Sequence, residues 1–285
     1  MSRSDKNDLL RAMQATLGQK MEQANRTPLD DFAGLSPVQM AALRDDGFGG
    51  ASPIRWCGDG QAADMPLCVA MRAVLDYFAE PKGAKLTPQG RLPRRLLVIL
   101  HDLHQWDIYQ QETPPAREEY LPVAELLHAL IVHRKLVRKR NGCYLLTRKG
   151  QEWQTMAPET QARWMMEVSV QGYNWGYLDG YPELPSLQHG WGFIVWLLLC
   201  FGSEQRSADF YADKVLNAWP FLLEGLDTLA HTSPRRCFGN IFEIRVAVRW
   251  LAWLGLVSFS RERRPDAELM IRPTSLFFQC WGLRR

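Results

Sequence analysis

Apolar residues recur at spacings of three and four along most of the chain, and this pattern predicts a mainly α-helical protein. Residues 65–80 carry the clearest stripe. Its members are Leu67, Met71, Val74, Leu75 and Phe78. The same spacing predicts helices over residues 1–25, 37–46, 92–103, 121–134, 158–170, 192–201, 207–218, 221–230 and 241–254. Ser36-Pro37 marks the start of the second helix, because serine caps a helix and proline fits its first turn.

Two short apolar runs separated by Asn141-Gly142 predict a β-hairpin over residues 136–147, because this pair adopts the positive φ angles of a tight turn. Helix, helix, strand, turn and strand in succession are typical of a winged helix-turn-helix. A similar succession follows later, where L-G-L-V at residues 254–257 precedes I-R-P-T at residues 271–274. We therefore expect helical domains with two winged-helix-like units, each carrying a small two-stranded β-hairpin.

A chain of 285 residues is long enough for two compact domains. We expect an N-terminal helical arm over residues 1–60 and a winged-helix-like domain with a basic wing over residues 61–156. Residues 157–285 are expected to form a helical domain that ends in the second winged-helix-like unit. Residues 171–188 are rich in Gly, Tyr and Pro and predict a loop that packs aromatic rings, and residues 231–239 predict a linker.

Composition narrows the class of protein. Hydrophobic residues make up 46% and charged residues 23%, which is ordinary for a globular protein. The six cysteines form no CxxC pair, which favours free thiols in a reducing compartment. The chain starts without an apolar leader, and its longest apolar run, residues 192–202, is far shorter than the roughly 20 residues that span a bilayer. We expect a cytoplasmic protein with no membrane partner.

Three segments carry a family resemblance. They are residues 27–40 (TPLDDFAGLSPVQM), residues 85–95 (KLTPQGRLPRR) and residues 254–278. They resemble a group of uncharacterised bacterial proteins with GLSPxQM and LTxxGxLPR segments. Some members of that group occur near mobile elements and alongside plasmid-type or SEC-C-containing proteins. The resemblance implies no catalytic residues.

The net charge of +3 does not indicate which kind of partner the protein binds, but the clustering of the cations along the chain favours nucleic acid. Residues 134–149 and residues 82–95 are rich in Lys and Arg and contain no acid. The candidate nucleic-acid-binding residues are Arg134, Lys135, Arg138, Lys139, Arg140, Arg148, Lys149, Lys85, Arg91, Arg94 and Arg95. Cations on a hairpin can reach the phosphates of a double-stranded nucleic acid, and such binding does not depend on sequence.

The helix before the hairpin is poorly suited to reading bases. Its polar positions include Glu125, His128 and His133, whereas base readout uses Arg, Lys, Asn or Gln. We therefore expect a non-enzymatic accessory or regulatory protein that binds phosphates through its wing. The alternative is a wing that is only solvated. In that case the winged helices and the eleven tryptophans would form a protein-interaction module, with a partner protein or a second copy.

Other candidate chemistry is sparse. His101, His104 and Asp107 have the spacing H-x2-H-x2-D, which fits either part of a metal site or histidines that favour a helix C-terminus. Cys143 lies among cations and is either a reactive thiol or a plain strand residue. The sequence has no GxSxG, Walker, HExxH or GxGxxG motif. We expect no enzyme activity, no cofactor and no metal site, and an enzyme of unfamiliar type stays open as a third function class, ranked below the other two.

Aromatic residues concentrate in the sixth predicted helix and in the segment that follows it. They are Trp164, Tyr173, Trp175, Tyr177 and Tyr181. Such a cluster can form a pocket with stacking walls, or it can pack as core beneath a loop.

Overall fold

Helices form most of the described chain, and β-structure is confined to small antiparallel sheets. The structure is a computed structural model that describes residues 3–58, 64–80, 83–103, 108–109, 111–226, 232–262 and 267–284. The expected fold class, mainly α with small β-hairpins, is confirmed. Of the residues singled out above, His104 and Asp107 lie outside the described residues.

The α-helices are α1 (Arg3–Arg26), α2 (Pro37–Asp46), α3 (Pro66–Tyr77), α4 (Arg94–Leu103), α5 (Pro122–His133), α6 (Arg148–Thr155), α7 (Pro158–Gln171), α8 (Pro185–His189), α9 (Trp191–Phe201), α10 (Ala208–Ala218), α11 (Pro234–Ile241) and α12 (Ser275–Cys280). A π-helix, Phe242–Ala252, continues α11 without a break. The strands are β1 (Ile54–Trp56), β2 (Ala84–Lys85), β3 (Val137–Arg140), β4 (Cys143–Leu146), β5 (Arg206–Ser207), β6 (Val257–Ser260), β7 (Met270–Pro273) and β8 (Trp281–Leu283).

Two predicted elements are wrong. The helix expected over residues 221–230 is only a short 3-10 helix, Pro220–Leu223, and Gly225 then adopts a φ of 78° that an α-helix does not allow. Residues 227–230 of that prediction lie outside the described residues. The linker expected over residues 231–239 contains the start of α11, which Ser233 caps through a hydrogen bond from the Arg236 N–H at 3.2 Å.

The first unit, as we call it, consists of α3, β2, α4, α5, β3 and β4. Its sheet has the order β2–β4–β3 and is antiparallel throughout, so the expected two-stranded hairpin gains a third strand. Asn141 and Gly142 have φ angles of 51° and 73°, the conformation that the Asn-Gly turn predicts. Thr147 ends the hairpin, because its hydroxyl donates to the Lys135 carbonyl at 2.6 Å and caps α6.

The second unit consists of α9, β5, α10, α11 with the π-helix, β6 and β7. Its sheet has the order β5–β7–β6, so both units share one succession of elements and one strand order. The equivalent threonine is Thr274, whose hydroxyl donates to the Gly255 carbonyl at 2.7 Å and caps α12. Lys135 and Gly255 both have positive φ, 59° and 71°, where helix turns into strand. The two units are built on one backbone plan.

An aromatic cluster joins the N-terminal segment to the second unit. The ring of Phe48 lies 4.8 Å from that of Trp191 and 5.4 Å from that of Trp281, centroid to centroid. Trp56 meets Trp281 edge-on at 5.2 Å, and the Arg163 guanidinium lies 4.1 Å from the centre of the Phe48 ring. These contacts seat the pair β1–β8, in which Ile54–Trp56 are hydrogen-bonded to Trp281–Leu283.

A buried ion pair ties the segment after α7 to the second unit. The guanidinium of Arg245 in the π-helix donates two hydrogen bonds of 2.7 Å to the Asp179 carboxylate, and both side chains are almost fully buried. The segment after α7 is therefore fixed to the π-helix of the second unit at Asp179. Helix α9, which carries the longest apolar run, is buried in the core. No helix in the described part of the chain is both long and apolar enough to cross a membrane.

The close packing of Gly47 provides a test of the aromatic cluster. A Cβ at Gly47 would lie 2.6 Å from the buried Trp191 ring, whereas a Cβ at Gly50 would meet nothing within 4 Å. We expect Gly47→Ala to lower the free energy of unfolding by about 1–3 kcal/mol, because overpacking displaces the ring. Gly50→Ala is the matched control, with a change below about 0.5 kcal/mol. Equal effects in urea unfolding would contradict this packing.

Candidate functional site

The sheet of the first unit presents a row of cations on its outward face. Lys85, Cys143 and Arg140 lie opposite one another on β2, β4 and β3, so their side chains share one face. Arg138 is two residues from Arg140 and lies on the same face, while Val137 and Tyr144 are buried on the other. Lys85, Arg138 and Arg140 are exposed.

The two cation clusters of the sequence meet beside this sheet. The Lys139 ammonium lies 3.1 Å from the position a Cβ would take on Gly90. Gly90 belongs to a tight turn at residues 87–91, closed by a hydrogen bond from the Thr87 N–H to the Arg91 carbonyl at 3.0 Å. Lys139 lies on the opposite face of the hairpin from Arg138 and Arg140, so it brings a cation beside the turn that leads to Arg94 and Arg95 in the first turn of α4. We call Lys85, Arg94, Arg95, Lys135, Arg138, Lys139, Arg140, Arg148 and Lys149, all of which are exposed, the basic surface.

Two helices begin on this surface with paired cations. Arg94 and Arg95 open α4, and Arg148 and Lys149 open α6, with no acid in the first turn of either helix. A helix N-terminus carries partial positive charge, so cations there oppose the helix dipole by typically 0.3–1 kcal/mol. Only part of this is offset, through the ion pair of Arg148 with Glu152 at 2.8 Å. The charge is better suited to holding an anion than to stabilising the helices.

Arg91 and Arg134, the other two candidate cations, face a cleft instead. The cleft has a volume of about 750 Å³ and lies between α5 and the segment after α7. The Arg134 guanidinium packs against Gly172, where a Cβ would collide with it. The Arg91 guanidinium lies 3.7 Å from the Glu118 carboxylate at the other side of the cleft.

A buried carboxylate forms the back of this cleft. Glu118, whose side chain is 1% exposed, accepts hydrogen bonds of 2.6 Å from the Leu92 N–H and from His128 Nδ1. In the neutral imidazole, donation from Nδ1 to Glu118 leaves Nε2 to accept from the Tyr144 hydroxyl, which is 2.9 Å away. The chain Glu118–His128–Tyr144 connects the start of α4, α5 and β4. Burial and the Glu118 charge raise the pKa of Tyr144.

Of the polar groups in the cleft that have no hydrogen-bonded partner among the described residues, two have a raised pKa. They are the Glu125 carboxylate on α5 and the Tyr173 hydroxyl, both half-buried. Burial, and then the neighbouring Glu118, raise the pKa of Glu125. Burial, with the nearby Glu125 charge, raises the pKa of Tyr173 to about 12. These groups can accept or donate hydrogen bonds to a bound molecule.

The predicted aromatic cluster separates into two groups. Tyr173 and Tyr177 line the cleft, their rings perpendicular at 6.1 Å. Trp175 is instead buried, and its indole N–H donates to the Ser169 carbonyl at 2.6 Å. Both interpretations of the cluster, pocket wall and core, therefore apply to different members. The short 3-10 helix Trp175–Leu178 contacts α5 and restricts access to the outer side of that helix.

The remaining candidate chemistry does not form a site. His101 is buried, and its Nε2 is 2.9 Å from the Gln111 carbonyl oxygen. No group of three or more His, Cys, Asp or Glu side chains in the described ranges is placed to hold a metal ion. Cys143 is half-buried in β4, and all six cysteines are free thiols.

The second unit has no comparable cation row on its described residues. Arg261, just after β6, is paired with Glu243 of the π-helix, and Tyr109 donates a hydrogen bond to the same carboxylate. The two units thus share a backbone plan but differ in surface charge.

Comparison with known proteins gives one match. Residues 63–159 match the family described as the Y4jL N-terminal domain, an uncharacterised family. The matched region, about a third of the chain, includes the first unit, the basic surface and α6, and this part of the chain is similar to that family. No curated protein matches the chain, and no solved structure does.

Glu118 is the residue that sequence reasoning missed. It lies in the irregular segment PAREEY, residues 115–120, where no periodicity distinguishes a buried acid from its exposed neighbours. Its partners are 26 residues earlier and 10 residues later. Only the tertiary fold identifies it.

Replacing Glu118 tests the buried hydrogen-bond chain. Glu118→Gln supplies one acceptor where two donors converge, so the free energy of unfolding is expected to fall by about 1–3 kcal/mol. Glu119→Gln is the control, because Glu119 is partly exposed and its ion pair with Arg117 is at the surface. Urea unfolding of the two variants measures the difference, and similar values would argue against a structural role for Glu118.

The raised pKa of Glu125 predicts a pH dependence. A carboxyl whose pKa is higher in the folded state stabilises the fold below its unfolded pKa, near 4.5, and loses that contribution as the pH rises through its folded pKa. Glu125→Gln is therefore expected to raise the free energy of unfolding at pH 7, by less than about 1 kcal/mol because solvent screens the half-exposed group. This increase in the free energy of unfolding should become smaller towards pH 4. An increase that grows on acidification would contradict the raised pKa of Glu125.

Proposed function

We propose that this protein binds the phosphate backbone of nucleic acid, duplex included, through the basic surface of the first unit, as a non-enzymatic accessory or regulatory protein. One observation carries the proposal. Cations from two parts of the sequence, residues 85–95 and 135–149, are exposed, and the Lys139 ammonium of the hairpin lies beside the turn at residues 87–91 that precedes Arg94 and Arg95. Phosphate contacts of this kind give affinity that depends on salt and not on sequence.

The topology supports the same proposal. Helix, strand, two helices and a hairpin, with the first strand added beside the second hairpin strand, is the plan we propose to call a winged helix in both units. The hairpin β3–β4 then corresponds to the wing. The wing runs roughly 14 Å from base to tip, at about 3.4 Å per residue, with cations along its length.

Base readout by α5 is disfavoured. The exposed and half-exposed positions of this helix include Glu125, His128 and His133 and face the cleft, opposite Tyr173 and Tyr177. The 3-10 helix packs against the outer side of α5, the side that would have to lie in a major groove. Binding led by the wing, without sequence recognition, fits this arrangement.

The cellular setting and family context belong to the same proposal. Six free thiols favour a reducing compartment, and we place the protein in the cytoplasm, where nucleic acid is accessible. The similarity of residues 63–159 to an uncharacterised family is compatible with the wider bacterial group marked by the GLSPxQM and LTxxGxLPR segments.

A second candidate, a protein-interaction module, is favoured by one feature of α1. Met13, Leu17 and Met21 are spaced by four residues on this helix and are each about 60% exposed. An apolar stripe of this kind on an exposed helix is typical of helix–helix association. Binding through this stripe would depend little on salt, in contrast to binding through the basic surface.

Removing the wing cations tests the first candidate. The triple variant Arg138/Lys139/Arg140→Ala is expected to bind a duplex about tenfold or more weakly at low salt. The slope of log K against log salt should become shallower by about 0.9 for each phosphate that the variant no longer neutralises. Fluorescence anisotropy over a salt series measures both quantities.

The control removes equal charge elsewhere. The variant Arg11/Lys20/Arg26→Ala loses three exposed cations from α1, which packs against α2 and lies outside the basic surface. It should keep the affinity and salt slope of the parent to within about twofold. If both variants lose affinity equally, net charge and not the wing is responsible, and the proposal is wrong.

A further inference from the structure

We infer that the cleft beside the basic surface receives one unpaired nucleobase, preferably one with an exocyclic amino group, from a strand whose phosphates lie on that surface. This inference rests on the proposed function and adds the form of nucleic acid that the protein prefers. It follows from the position of the cleft, its aromatic wall and its polar groups.

The cleft opens next to the proposed path of the phosphates. Arg91 closes the turn at residues 87–91, beside which the Lys139 ammonium lies, and the side chain of Arg91 lines the cleft. Arg134, at the end of α5, directly precedes Lys135 of the basic surface. A nucleic-acid strand that contacts the basic surface therefore passes close to the cleft near Arg91 and again near Arg134.

Tyrosine rings form the wall on which a base can stack. Tyr177 is 69% exposed although it stands on a short helix fixed beside α5. Tyr173 lies perpendicular to it, so the two rings do not stack face to face on each other, and both line the cleft. Stacking of bases on exposed aromatic rings is the usual way in which proteins hold unpaired nucleotides.

The polar groups favour a base that can donate hydrogen bonds. The Glu125 carboxylate has no hydrogen-bonded partner among the described residues and only accepts hydrogen bonds when ionised. Asn174 uses its side-chain oxygen to accept from the Gly176 N–H, which leaves its amide N–H groups to donate. An amino group beside a ring nitrogen or carbonyl, as in cytosine, matches a cleft that offers both a carboxylate acceptor and an amide donor.

The geometry excludes a paired base. In a duplex the Watson–Crick edge is occupied and the base faces are stacked, so neither is available to a cleft wall. A volume of about 750 Å³ is ample for a nucleotide and too restricted for a duplex, given the 3-10 helix across α5. The base must come from a single strand, a junction or a splayed position, or from a free nucleotide.

The test compares three probes on the full chain. They are single-stranded oligo(dC), oligo(dT) of equal length and a mixed-sequence duplex, each labelled for anisotropy at neutral pH. We expect oligo(dC) to bind more tightly than the other two. Tyr177→Ala should weaken oligo(dC) binding about tenfold and leave the duplex within twofold, because only the unpaired base reaches the ring.

Two further variants make the result specific. Tyr120→Ala removes an exposed tyrosine, 56% accessible, that does not line the cleft, and should bind all probes as the parent does. Glu125→Gln should narrow the preference for oligo(dC) over oligo(dT), since the neutral amide no longer favours an amino group. If Tyr177→Ala binds oligo(dC) like the parent, or if Glu125→Gln leaves the preference unchanged, the inference is overturned.

Competition with deoxycytidine monophosphate distinguishes the source of the base. Weak competition, at least a hundredfold poorer than oligo(dC), supports a base presented by a strand. Competition as strong as that of oligo(dC) overturns the inference that a strand presents the base, and it identifies a free nucleotide as the ligand. The two proposals can fail separately. If the wing variant loses binding and Tyr177→Ala has no effect, only the inference about the cleft is contradicted.

Discussion

The buried carboxylate of Glu118 fixes the geometry on which the functional surface depends. It receives a backbone N–H at the start of α4 and an imidazole N–H from α5, and through that imidazole it orients a tyrosine of β4. An acid without exposure is tolerated only where hydrogen bonds compensate for lost water. All the donors belong to the first unit. The turn before α4, helix α5 and the hairpin β3–β4 are therefore fixed relative to one another.

Local signals make much of the first unit predictable. Asn141-Gly142 requires no tertiary information, since the positive φ angles are a property of the two residues. Thr147 likewise can be expected to cap α6. The orientation of Arg134 towards Gly172 cannot be predicted, because it depends on α7 ending beside α5. The cleft is therefore visible only in the fold, although the sequence singles out Tyr173 and Tyr177 as candidates for its wall.

The error at α11 has a similar explanation. Ser233-Pro234 is the same start signal as Ser36-Pro37, yet the residues that follow include two arginines, a cysteine and Gly239 and lack an obvious stripe. Packing supplies what the pattern lacks. Cys237, Phe238 and Ile241 are buried, and the helix continues directly into the π-helix that carries Arg245. Tertiary burial overrides weak periodicity here.

Two units with one backbone plan need not share a role. The first has a surface of exposed cations and a cleft, whereas the second pairs Arg261 with Glu243 and uses Trp191 to pack against the N-terminal segment. The features that the units share are those that shape the backbone, namely the capping threonine and the residue of positive φ. Surface charge differs between the units while these features are the same.

The pairing of β1 with β8 has a consequence for biosynthesis. It closes a loop of about 230 residues, so the ribosome must release the last strand before Ile54–Trp56 can be paired. During translation the first unit can already be folded while Phe48 and Trp56 still lack their aromatic partners. Those rings are then open to chaperones until β8 has emerged from the exit tunnel.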